Sequence, residues 1–348
     1  MPEPTPSIVE VAKRAGVSVA TVSRVLSNSA YPVSQATRRK VLQVADEIHY
    51  APNSLARSLR AQRSHLFAVL VGDNTDPYFA EIMRGVEDVA SESGYLTILC
   101  NSDRDPIKEL HYLRILRDYR ADGILFAGGG LNAPGYPEQL EAAVQGIAAH
   151  GAAVVTLAQH TLHVPSVQAD NFGGARQMAE RLIALGHRRI AFVAGPSNVM
   201  AANVRLQGYM AAMVATGLPI EPELLLSGNF DHASGEQAAK SVAQMPPTSR
   251  PTAVFAANDQ TAFGLLVGLG RLGLRVPADI SVCGFGDLPM AQIVVPPLTT
   301  VRIALRELGR AGAGKLIALL RHEQVAALDV LPTTIVERES TAPPPDRG

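Results

Sequence analysis

The stretch GVSVATVSRVL, residues 16–26, sets Val17, Val22, Val25 and Leu26 at helical spacing on one side and short hydroxyls with an arginine on the other. Its surroundings give that pattern a meaning. Ser7 is placed to cap the preceding segment IVEVAKRA, in which Ile8, Val11 and Ala12 share a face, and Gly16 can end that segment at positive φ without steric cost. Ser18 is placed to cap VATVSRVL, and Ser34 to cap QATRRKVLQVADEI, with its stripe Val41, Val44, Ala45 and Ile48. A helix, a turn containing glycine and a second helix read as a helix-turn-helix unit. The apolar side faces a small core. Thr21, Ser23 and Arg24 then face outward, where short hydroxyls can reach phosphates and base edges and an arginine can bind guanine with two hydrogen bonds.

The charge distribution points the same way. Up to residue 64 nine basic residues (Lys13, Arg14, Arg24, Arg38, Arg39, Lys40, Arg57, Arg60, Arg63) face four acidic ones (Glu3, Glu10, Asp46, Glu47), while the remainder holds 22 basic and 28 acidic residues. A net charge of −1 thus conceals a basic head on an acidic body, which predicts a polyanionic partner for the head alone. A core of three short helices is marginal on its own and depends on a partner.

After His49 the segment YAPNSLARSLRAQRSH joins head to body, with Pro52 ending the third helix and Asn53 placed to cap a short one. From Leu66 onward β-rich runs alternate with longer amphipathic stretches: LFAVLVGD, YLTILC, DGILFAG, AAVVTLA, then RRIAFVAG, LLLSGNF, TAVFAAND and SVCGFGD. Continuous apolar strands separated by helices predict parallel sheets covered on both faces, here two doubly wound lobes with a ligand cleft at the carboxyl ends of their strands. The expected class is a small all-α head plus an α/β body.

Other classes find little support. The chain has 348 residues, 47% hydrophobic and 18% charged, an ordinary globular composition. No signal-peptide pattern and no membrane span of about 18 apolar residues is present, so the expected location is the cytoplasm. Cys100 and Cys283 sit in apolar runs and read as buried thiols. FAGGGLNAPG lacks the spacing of a dinucleotide site, GxxxxGKS and HExxH are absent, and the nine histidines form no metal pattern. The expectation is no enzyme, no cofactor and no metal.

SIVEVAKRAGVSVATVSRVLSN followed by VSQATRRKVLQVADEIHYAPNSLARSLR resembles the DNA-binding head of the lactose-repressor (LacI/GalR) family of bacterial transcription regulators. The resemblance continues through DPYFAEIMRGVEDVASESGY, ADNFGGARQMAERLIALGHRRIAFVAGP, ANDQTAFG and PPLTTVR, over nearly the whole chain. It implies a homodimer on a pseudo-palindromic operator in double-stranded DNA, and a body of periplasmic-binding-protein type that senses a small, commonly carbohydrate-like effector.

Matched to the family, Val19 and Ala20 stand at the base-reading start of the recognition helix, with Ser18, Thr21, Ser23 and Arg24 beside them. Ser7, Asn28, Tyr31, Tyr50 and Asn53 match positions near the DNA backbone, and Ala56 and Leu59 match a hinge helix whose leucine wedges into the minor groove. Tyr78, Phe79, Arg205, Phe230, Asn258 and Asp259 match effector-binding positions. Ala158, Ala201, Asn203 and Gly286 replace residues that are commonly polar in relatives, so the pocket loses hydroxyl-binding groups. The implied divisions are a head at 1–50, a hinge and linker at 51–64, an amino-terminal lobe at 65–164 and 293–326, a carboxy-terminal lobe at 165–292 and 327–341, and a frayed tail at 342–348. The expected function is an effector-switched repressor of a catabolic operon, with a nucleobase-responsive repressor, or a ligand-binding protein without a DNA role, as the alternatives.

Overall fold

The computed structural model describes residues 6–26, 31–50 and 63–345, and the chain falls into two compact units, 1–64 and 65–348. In the first, α1 (Ile8–Ala15), α2 (Val19–Leu26) and α3 (Gln35–Glu47) surround a core of Val11, Ala12, Ala15, Val22, Val25, Val41, Val44 and Ala45. The caps are the expected ones. The Ser7, Ser18 and Ser34 hydroxyls accept from the N–H groups of Glu10, Thr21 and Thr37 at 3.3, 3.2 and 3.2 Å, and Gly16 ends α1 at φ 67°.

The second unit contains two six-stranded sheets. The first comprises β1 (Leu66–Val71), β2 (Leu96–Asn101), β3 (Gly123–Phe126), β4 (Ala153–Thr156), β5 (Ser166–Ala169) and β11 (Leu328–Leu331), in the order β11-β5-β4-β3-β1-β2, all parallel. The second comprises β6 (Ile190–Val193), β7 (Leu225–Leu226), β8 (Ala253–Ala256), β9 (Ser281–Gly286), β10 (Thr299–Arg302) and β12 (Thr334–Val336), in the order β12-β10-β9-β8-β6-β7. Only the β10–β12 pair in it is antiparallel. Every residue of β3, β4, β6, β8 and β9 is buried, as strands covered on both faces require.

Helices α4 (Pro77–Glu92) and α11 (Leu305–Leu320) pack together on the first lobe, as do α5 (Pro106–Asp118) and α6 (Tyr136–Ala148). The second lobe pairs α7 (Asn171–Ala184) with α8 (Met200–Ala215) and α9 (His232–Gln244) with α10 (Asp259–Arg271). Close approach rests on missing side chains. A Cβ on Gly85 would stand 1.9 Å from the Arg306 carbonyl oxygen, and one on Gly309 2.1 Å from that of Ile82, so α4 and α11 meet backbone to backbone.

The lobe boundaries differ from those expected. β5 and β11 belong to the first sheet and β10 to the second, so the chain crosses between lobes around residues 170, 303–304 and 332–333. The physical reason is common to all three. Each strand before a crossing pairs its backbone in the sheet that the chain is leaving, and only then does the chain change lobes. Two crossings are tied together: the Asp170 N–H donates to the Leu331 carbonyl at 3.0 Å, and the Thr333 hydroxyl to the Asp170 carbonyl at 3.3 Å.

The tail also holds on longer than expected. The Ala342 N–H donates to Ser281 Oγ at 3.0 Å and its carbonyl lies 2.9 Å from Nε2 of the buried His187, which anchors this residue to the second lobe. Cys100 and Cys283 are free and buried, and burial pushes the Cys100 thiol up to about 11. Among the described residues no helix is long and apolar enough to cross a membrane.

Candidate functional site

In the head, the start of α2 stands clear of the core. Val19 is 36% exposed and Ala20 is exposed, while Val22 and Val25 behind them are buried. The Ser18 and Thr21 hydroxyls lie 2.9 Å apart, holding the first turn. Ser23 and Arg24 are half-buried on α2, and the Arg24 guanidinium carbon sits 3.8 Å from the ring centre of the exposed Tyr31. That stacking fixes a cation in the last turn of α2. Ser7 is exposed at the start of α1, and Tyr50 packs partly against the head core. Asn28, Asn53, Ala56 and Leu59 lie outside the described residues.

In the body, Tyr78, Phe79, Arg205, Phe230, Asn258 and Asp259 all line one cleft between the lobes, about 810 Å³ with its open mouth included. It lies where β1, β3, β8 and β9 end, at the carboxyl ends of strands from both lobes, where doubly wound folds place their ligands. Tyr78 and Phe79 open α4 and meet edge to face with ring centres 5.2 Å apart. Phe230 comes from the other lobe, on backbone of φ 63°. Ala158 and Ala201 contribute apolar wall, whereas Asn203 instead donates to the Ser197 carbonyl at 2.9 Å.

The charged pair is held by the protein. Arg205 donates from Nε to Asn171 Oδ1 at 2.8 Å and from Nη1 to the Ala257 carbonyl at 2.7 Å, and its guanidinium carbon lies 4.1 Å from the Phe285 ring centre. Asp259 accepts from the Leu288 N–H at 2.7 Å and from the Thr300 hydroxyl at 2.5 Å. Each is therefore satisfied without the other, and both are oriented before any ligand arrives. Burial pushes the Asp259 carboxyl up to about 6. Asn258 caps α10 through the Thr261 N–H at 3.1 Å and donates to the Phe230 carbonyl at 2.9 Å, which fixes that aromatic's backbone.

Four further titratable residues line the cleft without having been singled out from the sequence: Asp76, Arg104, Glu109 and His160. Asp76 had a legible signal, since Asp followed by Pro marks a capped helix start, and its Oδ1 accepts from the Tyr78 N–H at 3.0 Å. Glu109 is buried, accepts from the Tyr136 hydroxyl, and has its carboxyl pushed up by burial. Burial holds His160 down at about 4, hence neutral near pH 7. Their convergence on the cleft follows from strand order, which no local pattern reveals.

The cluster in FAGGGLNAPG also acquires a role. Residues 130–132 touch the other lobe through backbone: the Met200 N–H donates to the Gly130 carbonyl at 3.0 Å and the Asn132 N–H to the Asn198 carbonyl at 2.7 Å. Leu131 bridges Val199 between them. A Cβ on Gly130 would stand 2.9 Å from His160 Cα and 3.0 Å from Met200 Sδ, so glycine permits this latch beside the cleft.

Comparisons with known proteins agree with this geometry. Residues 7–53 match the model of the bacterial regulatory proteins of the lacI family, and residues 179–341 that of the periplasmic binding protein-like domain. The chain is similar to the HTH-type transcriptional regulator DegA of Bacillus subtilis, at 33% identity over 97% of this chain and 98% of that one. It is also similar to the solved complex of the transcriptional regulator CelR with cellobiose, at 34% identity and TM-score 0.70, covering 96% of this chain and 99% of that one. A lac repressor dimer bound to operator and the anti-inducer ONPF matches at 26% identity and TM-score 0.80, over 97% and 100% of the two chains.

Proposed function

Because the chain belongs to the lacI family of bacterial regulatory proteins, whose members are DNA-binding transcription regulators, we propose that it is a dimeric repressor switched by a small molecule in its cleft. The observation that carries this reading is the coexistence of an exposed helix start on a basic head with a preorganised cleft between two lobes of the body. Two heads occupy the half-sites of a near-palindrome in successive major grooves. Val19 and Ala20 touch base edges by apolar contact, Ser18, Thr21, Ser23 and Arg24 fix the helix on the duplex, and Ser7, Tyr31 and Tyr50 approach the backbone. Leu59 wedges into the minor groove between the heads, and Leu59→Ala then weakens specific binding far more than non-specific binding.

The effector is a sugar or a sugar-derived metabolite, and the regulated operon a catabolic one. Its ring stacks between Tyr78, Phe79 and Phe230, and Arg205 and Asp259 bind its polar edge. Ligand binding changes the lobe arrangement through the three crossing segments, and a differential affinity of about 1–3 kcal/mol for the two arrangements suffices as a switch. The apolar wall at Ala158 and Ala201 favours, as a second reading, a flat and weakly hydroxylated ring such as a nucleobase.

A thermal-shift screen of sugars, sugar acids, polyols and nucleobases separates the two readings, since a ligand at 100 times its Kd stabilises by about 2.7 kcal/mol. Asp259→Ala is expected to abolish the response of operator binding to that ligand while leaving operator affinity intact. An unchanged response removes Asp259 from the site.

A further inference from the structure

We propose that the cleft selects an anionic effector, a carboxylate- or phosphate-bearing ring of sugar size, and that Arg104 is the residue that reads its charge. This rests on the reading of the cleft as the effector site and adds the chemical class of what enters it.

Arg104 lines the cleft just beyond β2, half-buried. Asp103 and Arg104 are both left-handed, at φ 54° and 56°, a costly conformation for two successive residues with side chains. The side chain runs along the backbone of Gly72: a Cβ there would stand 3.0 Å from Arg104 Cγ and 3.3 Å from Nε. Its guanidinium carbon reaches to 5.9 Å from the ring centre of Phe230 on the opposite lobe. It therefore faces the same aromatic on which the proposed ring would stack.

The two cleft arginines differ in what holds them. Arg205 spends donors on Asn171 and the Ala257 carbonyl. Arg104 has no carboxylate oxygen within 4.0 Å among the described residues; Asp76, Asp103 and Asp231 act on it only from farther away. A guanidinium offers a planar fork of donors suited to carboxylate and phosphate. Ala158 and Ala201 leave their part of the wall without a hydroxyl-binding group. Burial holds the carboxyls of Asp76, Glu109 and Asp259 above their ordinary values, Asp259 at about 6 and so still largely ionised near pH 7. Among the described residues Arg104 is thus a cleft cation that no carboxylate holds at close range.

The test uses the full chain in titration calorimetry against matched sets: glucose, glucuronate and glucose 6-phosphate, and galactose, galacturonate and galactose 6-phosphate. At least one acid or phosphate is expected to bind about 10- to 100-fold more tightly than its neutral parent, the range of one charge-assisted contact. Which arm responds identifies carboxylate or phosphate as the source. Arg104→Gln is expected to remove most of that difference and to leave the neutral parent within about threefold, well under one hydrogen bond to a charged group. Neutral parents binding as tightly as their anions, or Arg104→Gln weakening all forms alike, would overturn the proposal. Binding of no member of either set contradicts the sugar-sized anion proposed here, whereas binding indifferent to Phe230→Ala contradicts the cleft reading itself, and the role of Arg104 falls with it.

Discussion

Asp259 has no exposed surface, yet it lines the cleft with a carboxyl raised to about 6 from an ordinary value of 3.8. A raised folded pKa means that the folded chain binds the proton more tightly than the unfolded one, so the contribution to stability is full below 3.8 and is lost as the pH climbs through about 6. Wild type is therefore expected to lose stability relative to Asp259→Asn between pH 4 and pH 7, by at most about 3 kcal/mol, measured by urea unfolding at both ends. A difference that stays flat, or grows with pH, contradicts this environment for Asp259. The residue types at this site were readable from the sequence, but their bonding was not. Arg205 and Asp259 matched effector-binding positions, but the sequence does not reveal that Asn171, Thr300 and two backbone groups hold them, contacts that span 34, 52, 41 and 29 positions.

At the scale of elements, the eight runs read as strands carry β1, β2, β3, β4, β6, β7, β8 and β9, while β5, β10, β11 and β12 went unread. β11 and β12, at the sheet edges, are half-exposed and carry no continuous apolar run; in β5 (SVQA) and β10 (TTVR) half or more of the residues are polar. Misplaced lobe boundaries follow directly, because three of these strands are the last ones before a crossing. Helix packing gives a sharper test. Gly309 and Gly314 share α11, but a Cβ on Gly309 meets the Ile82 carbonyl oxygen at 2.1 Å, and one on Gly314 meets nothing within 4 Å. Gly309→Ala is expected to cost at least about 1–3 kcal/mol in urea unfolding, and Gly314→Ala to stabilise by about 0.5–1 kcal/mol. Equal effects would deny that α4 and α11 meet at their backbones. At the latch, Gly130→Val is expected to weaken effector binding about 5- to 100-fold, the range of an overpacked contact, with little change in operator affinity. Unchanged effector affinity would show that the contact does not persist in the bound state.

For the whole molecule, the division of charge was visible in composition alone: a basic excess lies in the unit that holds the exposed start of α2, and an acidic excess in the unit that holds the cleft. What composition could not show is how the two lobes of the body are joined, because that runs through three chain crossings and a backbone latch distant in sequence. The most direct measurement is the affinity of the full chain for a duplex selected from a random library, and for an unrelated duplex, each with and without saturating cleft ligand at one salt concentration. The selected site is expected to be a near-palindrome bound at least about 10³-fold more tightly than the unrelated duplex, with the ligand moving the first affinity by about 5- to 150-fold and the second hardly at all. Failure of any sequence to be enriched, or an operator affinity that saturating ligand leaves unchanged, would contradict a ligand-switched reader of DNA.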